Sequence, residues 1–345
     1  MPSSSLITIS TSTILRFFAV ALGLVAIYLV RDIVFSLFFA VIVASAIEPS
    51  ILWLKQRGLG RIPAVILVYL GIAALAAFLV YLIVPLLAEE LRSASSALGT
   101  VQSQFLAGIE RIGGVNFGSL FAQNAEILLR LPSAYIGRVS GGVLDIISQG
   151  VGGLFTFALV VIFSFYLAAQ EKGIENFLRL VTPVAYEPYV LDLWSRSQKK
   201  LGRWLQAQLL LGAVVGIFIF IGLTLLGIKQ AFLFAALAAL FEIIPVVGPI
   251  LAAVPAVATA FLSSPILGLS TVALYVIVQQ AESHIIVPVV MRRAVGLSPL
   301  VVVIALLVGA KLGGILGILL AVPLTAVGAE LVNDWDKKKR ALIPG

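Results

Sequence analysis

The chain has 345 residues, of which 61% are hydrophobic and 11% charged, with a formal net charge of +7. Soluble domains carry about a quarter charged residues, so this composition, with a mean hydropathy of +1.14, excludes a soluble globular protein. The chain has no cysteine and one histidine, which excludes disulfides, a thiolate metal site and a cysteine nucleophile.

Apolar runs of about 16 to 30 residues without dyad alternation predict membrane helices rather than a β-barrel. The positive balance fits inner loops rich in Lys and Arg, and nucleic acid is not an expected partner. The N-terminus, Met-Pro-Ser-Ser-Ser, lacks a charged n-region. The first apolar run is therefore read as an uncleaved anchor rather than a signal peptide.

Ile14 to Val30 can span a membrane, and Ile33 to Ile47 runs back to end at Glu48-Pro49. Lys55, Arg57 and Arg61 follow, and Ile62 to Val84 is a third span closed by Pro85. Residues 86–141 are not membrane-like. There Leu87, Leu91, Leu98, Val101, Phe105 and Ile112 recur at helical spacing among polar residues, which predicts an amphipathic helix. Phe117 to Leu131 is a second helical patch, and Gly142 to Ala169 is the fourth span. Residues 171–203 form a polar amphipathic region whose basic end is flanked by Trp194 and Trp204, as expected at a membrane interface. Leu205 to Leu226 is the fifth span, followed by an apolar run from Ala231 to Leu262 and a further span from Pro265 to Gln280. A polar connector, Glu282 to Pro299, holds His284, Arg292 and Arg293. His284 is read as a loop residue. The last apolar run, Leu300 to Val332, is interrupted at Lys311-Leu312-Gly313-Gly314 and leads into a basic tail over 332–345.

Basic loops stay inside. This puts Lys55 to Arg61, residues 171–203, the tail and both termini on the cytoplasmic side, and residues 86–141 outside. Keeping Arg292-Arg293 inside requires the Ala231–Leu262 and Leu300–Val332 runs to be re-entrant hairpins, each half being short for a crossing of about 20 residues. The expected fold is an all-α polytopic membrane protein of about eight membrane segments. Six are full spans and two are Pro/Gly-broken hairpins. Eight full crossings are the competing arrangement. Three regions follow: a membrane scaffold over 1–204, a core over 205–331 and the tail.

The core shows an internal repeat. Ile250-Leu251-Ala252-Ala253-Val254-Pro255 recurs as Ile318-Leu319-Leu320-Ala321-Val322-Pro323, and Leu226-Gly227-Ile228 echoes Val295-Gly296-Leu297. With opposite charge-derived orientations the two units form an inverted repeat of the kind found in secondary transporters.

The most anomalous stretch is Glu242-Ile243-Ile244-Pro245-Val246-Val247-Gly248-Pro249, in the middle of an apolar run. Non-helical backbone at membrane depth requires cover by protein or a water-filled cavity, and an intramembrane acid is a functional-site candidate. Gly248 and Pro249 suit a hairpin tip, with unpaired carbonyls expected around Pro245 and helix N–H groups beyond it. Lys311, Gly313 and Gly314 occupy the matching tip of the second hairpin, and Pro255 and Pro323 are matched hinges. Glu242 is either a coupling site for a proton or cation, or a structural pair with Lys311, Gln279 or Gln280. Lys311 is a gate, a counter-ion or a snorkelling side chain. Gln279 and Gln280 either bind substrate or hold helices together. No phosphate loop, GxSxG, HExxH or metal-ligand cluster is present, so neither an enzyme nor a bound cofactor is expected beyond H⁺ or Na⁺ as coupling ion.

The block from Glu242 to Pro249 with Pro255 resembles the I-P-x-x-G-P-x-x-x-x-x-P signature of the autoinducer-2 exporter family. Gln279-Gln280, the Pro288 to Pro299 stretch, Gly314 to Pro323 and Phe165-Tyr166-Leu167 match it as well. The resemblance implies a transporter of the bacterial inner membrane. It also implies export of an autoinducer-2-like signal or related small polar solute, Na⁺(Li⁺)/H⁺ antiport in some members, and a homo-oligomer, a pentamer. The sequence departs from many relatives in carrying Glu242 rather than Asn. A scaffold that moves nothing and recruits partners is the reading from another class.

Overall fold

The computed structural model describes residues 31–112, 150–245, 247–287 and 297–341, with scattered positions between 15 and 30. Among the described residues all regular structure is helical. The helices are α1 (Arg31–Gln56), α2 (Arg61–Ile112), α3 (Gly150–Ala169), α4 (Gly173–Val181), α5 (Glu187–Leu225), α6 (Ala231–Phe241), α7 (Val247–Ser263), α8 (Pro265–Ala281, continued by a π-helical turn, Glu282–Ile286) and α9 (Pro299–Ala341). Part of the first expected span, the Phe117–Leu131 patch, the start of the fourth span and the Arg292-Arg293 connector lie outside the described residues.

Five of these helices are long and apolar enough to cross a membrane, and α3 with α4, bent by 86°, brings the number to as many as six. α6 and α7 are shorter apolar helices. Several expected boundaries move. Pro49 lies inside α1, which runs on to Gln56, and Pro85 lies inside α2, which continues to Ile112. A proline interrupts one backbone hydrogen bond, and neighbouring groups can satisfy what it frees. The polar stretch before the fifth span is helical from Glu187 and merges with it into one 39-residue helix. His284 sits on the π turn rather than in a loop. Trp204 does not face outward from the bundle: it is fully buried among Ile42, Leu201 and Leu320.

α5 is the central strut, packing on α1, α6, α8, α9 and α4. Glycines allow its closest contacts. A Cβ at Gly212 would lie 2.5 Å from the Ala239 carbonyl, and one at Gly216 would lie 2.9 Å from the Ala239 Cβ. These spacings bring α6 backbone-to-backbone against α5 and fix the height of its C-terminus, where Glu242 sits. Gly202 does the same on the other side, its Cβ position being 2.5 Å from the Ser45 carbonyl of α1.

α9 reverses within its length. Gly314 has φ 56° and ψ −132°, a conformation open to glycine alone. Gly309 and Gly317 then face one another so closely that a Cβ on either would overlap the other's carbonyl. In a straight helix residues eight apart lie about 12 Å apart, so the chain must fold back here. The turn rests on Phe35 of α1, and the two arms pack on α1 and α5.

The reversal is checked by cross-linking, since the chain has no other cysteine. A Cβ at Gly309 falls 3.1 Å from that of Ala321, close to disulfide range. Gly309→Cys with Ala321→Cys should therefore oxidise to an intramolecular bridge, whereas a straight helix would hold the pair about 18 Å apart and leave both thiols free.

Candidate functional site

The backbone leaves the helical path directly after α6. Glu242 N–H still bonds to Ala238 O at 3.0 Å, but Ile244 N–H bonds to Phe241 O at 2.9 Å and Val247 N–H to Pro245 O at 2.8 Å. Gly248 N–H closes the turn on Ile244 O at 2.9 Å. The carbonyls around Pro245 are thus occupied within the turn, contrary to the expectation that they stand free. A tight reversal satisfies its own backbone, so it leaves the polar chemistry to side chains. Gly248 is required here because a Cβ would overlap the Phe241 carbonyl. Pro249 is buried in the first turn of α7, where a missing N–H costs nothing. Pro255 lies inside α7, and Pro323 is buried inside α9.

Glu242 is 1% exposed. Its backbone carbonyl accepts a hydrogen bond from Nε2 of Gln208, a buried residue of α5. Its carboxyl lies within hydrogen-bond reach of the Glu282 carboxyl, on the π turn that ends α8. Glu282 is 7% exposed and accepts from Gln279 Nε2 at 3.1 Å. Oε2 of Glu242 has no hydrogen-bond partner among the described residues, and neither has the buried hydroxyl of Tyr275, one turn before Gln279 on α8. Neither acid forms an ion pair with a Lys or Arg of the described residues. Two carboxyl groups in contact, with no cation beside them, can share a proton or hold a cation between their oxygens. π turns widen a helix by one residue and recur at functional sites; this one presents Glu282.

The structure brings Glu242, Gln279 and the tip residues Pro245, Gly248 and Pro249 into one region. Gln280 points outward, its carbonyl meeting Nδ1 of His284 at 3.0 Å. Lys311 is exposed and makes no ion pair among the described residues, and Gly313 packs on Phe35. The second tip therefore stands against α1, not opposite Glu242. Sequence reasoning missed Glu282 and Gln208. Both carried a signal: Gln208 is one of two amides, with Gln206, in the first turn of the fifth span, and Glu282 follows Gln279 by three residues, one helical turn.

A bundle of long apolar helices with a buried acid pair at a helix break defines a multi-pass membrane protein. The chain matches the family described as AI-2E family transporter over residues 17–337. It belongs to that family. Its relatives include YueF of Bacillus subtilis, 26% identical over 85% of this chain and 82% of that protein. MT0215 of Mycobacterium tuberculosis is 28% identical over 90% and 86%. YhhT of Escherichia coli is 25% identical over 91% and 88%. Their names describe transport and state no substrate.

Gln208→Leu would leave the buried Glu242 carbonyl without its donor. The expected cost is about 1–3 kcal/mol, read as a lower melting temperature of the purified protein in detergent. An unchanged melting temperature would show that this hydrogen bond does not hold the break in place.

Proposed function

We propose that this protein is an ion-coupled secondary transporter that exports a small polar solute, with Glu242 and Glu282 as its coupling site. The observation that carries this reading is the contact between two buried carboxyls at a helix break, with no basic partner among the described residues. A structural pair would join unlike charges; a like-charged pair needs a mobile cation, and a proton or a metal ion of group 1 supplies one. Gln279 adds a polar oxygen and an amide to the same place. α6 and α7 form a re-entrant hairpin that carries Glu242 to the membrane interior, and the reversal of α9 is its inverted counterpart. The end bearing Lys55, Arg61, Lys199 and the tail faces the cytoplasm, by the charge rule. The bacterial inner membrane, a homo-oligomeric assembly of five copies and an autoinducer-2-like solute follow from the family resemblance.

A second reading is favoured by the same oxygens. Na⁺ or Li⁺, held by the two carboxylates, would itself be the substrate, exchanged for protons.

Proteoliposomes distinguish these readings. Under an imposed pH gradient, Glu242→Gln or Glu282→Gln should lower solute flux at least tenfold and flatten its dependence on pH, with protein incorporation unchanged. Flux and pH dependence like those of the unaltered protein in both variants would remove the coupling role. Dequenching of a pH-sensitive dye on adding Na⁺ or Li⁺ alone, without solute, would establish the antiporter instead.

A further inference from the structure

At the basic end of the bundle lies a cavity of about 490 Å³, away from the acid pair. Its place follows from the fold. Gly202 draws α5 onto Ser45 of α1, and Gln206 Nε2 donates to the Ala46 carbonyl at 2.6 Å, so the floor is closed. α4 turns away from α3 by 86° and roofs one side. α4 leaves Phe177, Leu180 and Val181 exposed beside Arg179 and Glu175. Such an amphipathic helix lying across the direction of the spans belongs at the boundary between acyl chains and headgroups. The cavity therefore opens at headgroup level.

Its walls are apolar toward the bundle, through Val41, Ala44 and Leu167, and charged toward the outside. Half of its charged lining residues are ion-paired. Arg61 holds Glu48 in a two-pronged bridge at 2.9 and 3.0 Å, and Lys55 reaches Glu171 at 2.8 Å. That hydrogen bond holds the Glu171 carboxyl below its ordinary range. Three lining charges are left without an ion pair among the described residues: Lys199, Arg203 and Glu175. Lys199 and Arg203 are four apart on α5 and so project from one face into the same opening. Beside them the indole of Trp194 lines the wall.

We infer that this cavity binds a phosphate ester, with Lys199 and Arg203 as the phosphate ligands and the apolar inner wall holding the organic body. An ammonium and a guanidinium on one face suit a phosphate better than a carboxylate-sized anion, because both present donors to its several oxygens. The volume lies within the range of small-ligand sites. A membrane phospholipid at headgroup level and a soluble phosphorylated metabolite carry the same chemistry, and the assay separates them. The inference does not depend on the coupling role of Glu242, since binding is read without transport.

Native mass spectrometry of the delipidated full chain tests it, with separate titrations of phosphatidylglycerol, diacylglycerol and glycerol 3-phosphate. Phosphatidylglycerol should bind saturably and diacylglycerol should not compete. The double variant Lys199→Gln/Arg203→Gln should weaken binding roughly thirtyfold, the size expected for two cations near a headgroup. Raised salt should weaken the unaltered protein in the same direction. Lys337→Gln/Lys339→Gln, in the exposed tail, should leave binding intact. All of these side chains are exposed, and an unchanged melting temperature verifies that each variant is folded. Glycerol 3-phosphate binding with the same dependence on Lys199 and Arg203, and no phosphatidylglycerol binding, would assign the site to a soluble ester. Equal loss in both double variants, or no binding by any phosphate compound, overturns the inference.

Discussion

The constraint on which this structure turns is the burial of a carboxyl group inside an apolar bundle. Glu242 is enclosed on every side, and an acid so placed must find a partner. Here the partner is a second acid, Glu282, brought in by a different helix. The surrounding construction serves that meeting. Gly212 and Gly216 let α6 lie flush on α5, Gln208 pins the Glu242 carbonyl, and the π turn after α8 sets Glu282 at the matching height. Removing the pair would leave four costly features, two glycine contacts, a buried amide and a helix irregularity, without a common purpose.

The far end of the molecule is built on the opposite electrostatic plan. Arg61 with Glu48, Lys55 with Glu171, and Arg196 with Glu330 and Asp334 are pairs of unlike charge. They tie α1 to α2, α1 to the turn between α3 and α4, and α5 to α9. Exposed pairs of this kind contribute little each, but Arg196 and Lys200 share Glu330 and so fasten α5 to α9 through a network. Charge compensation is the rule at the basic end. Among the described residues the acids inside, and Lys199 and Arg203 beside the cavity, have no ion-pair partner and stand out against it.

Much of this was legible in the sequence. Composition with the length of the apolar runs gave the helical membrane class, and the combination of one acid, two prolines and one glycine in an apolar run marked Glu242 to Pro249. The glycine pair Gly313-Gly314 marked the reversal of α9. What could not be read was partnership. Glu242 could be matched on paper with Lys311 or Gln279, because sequence does not say which helices touch; the structure sends the Lys311 tip to Phe35 and brings Glu282 instead. Helix lengths were also hidden. Pro49 and Pro85 read as terminators, yet both are tolerated in mid-helix, and the polar amphipathic region over 171–203 read as separate from the fifth span although its residues from Glu187 onward extend α5. Trp204 looked interfacial by its neighbours in sequence and is buried by its neighbours in space.

The central claim is that Glu242 and Glu282 act as one ion-binding unit. Infrared difference spectroscopy of the membrane-reconstituted protein, recorded on stepping pH or adding Na⁺, reads carboxyl protonation directly. The claim predicts one band of a protonated carboxyl that titrates or is displaced by the cation, and that disappears in both Glu242→Gln and Glu282→Gln. A band that survives either substitution, or no carboxyl signal on either step, would contradict it.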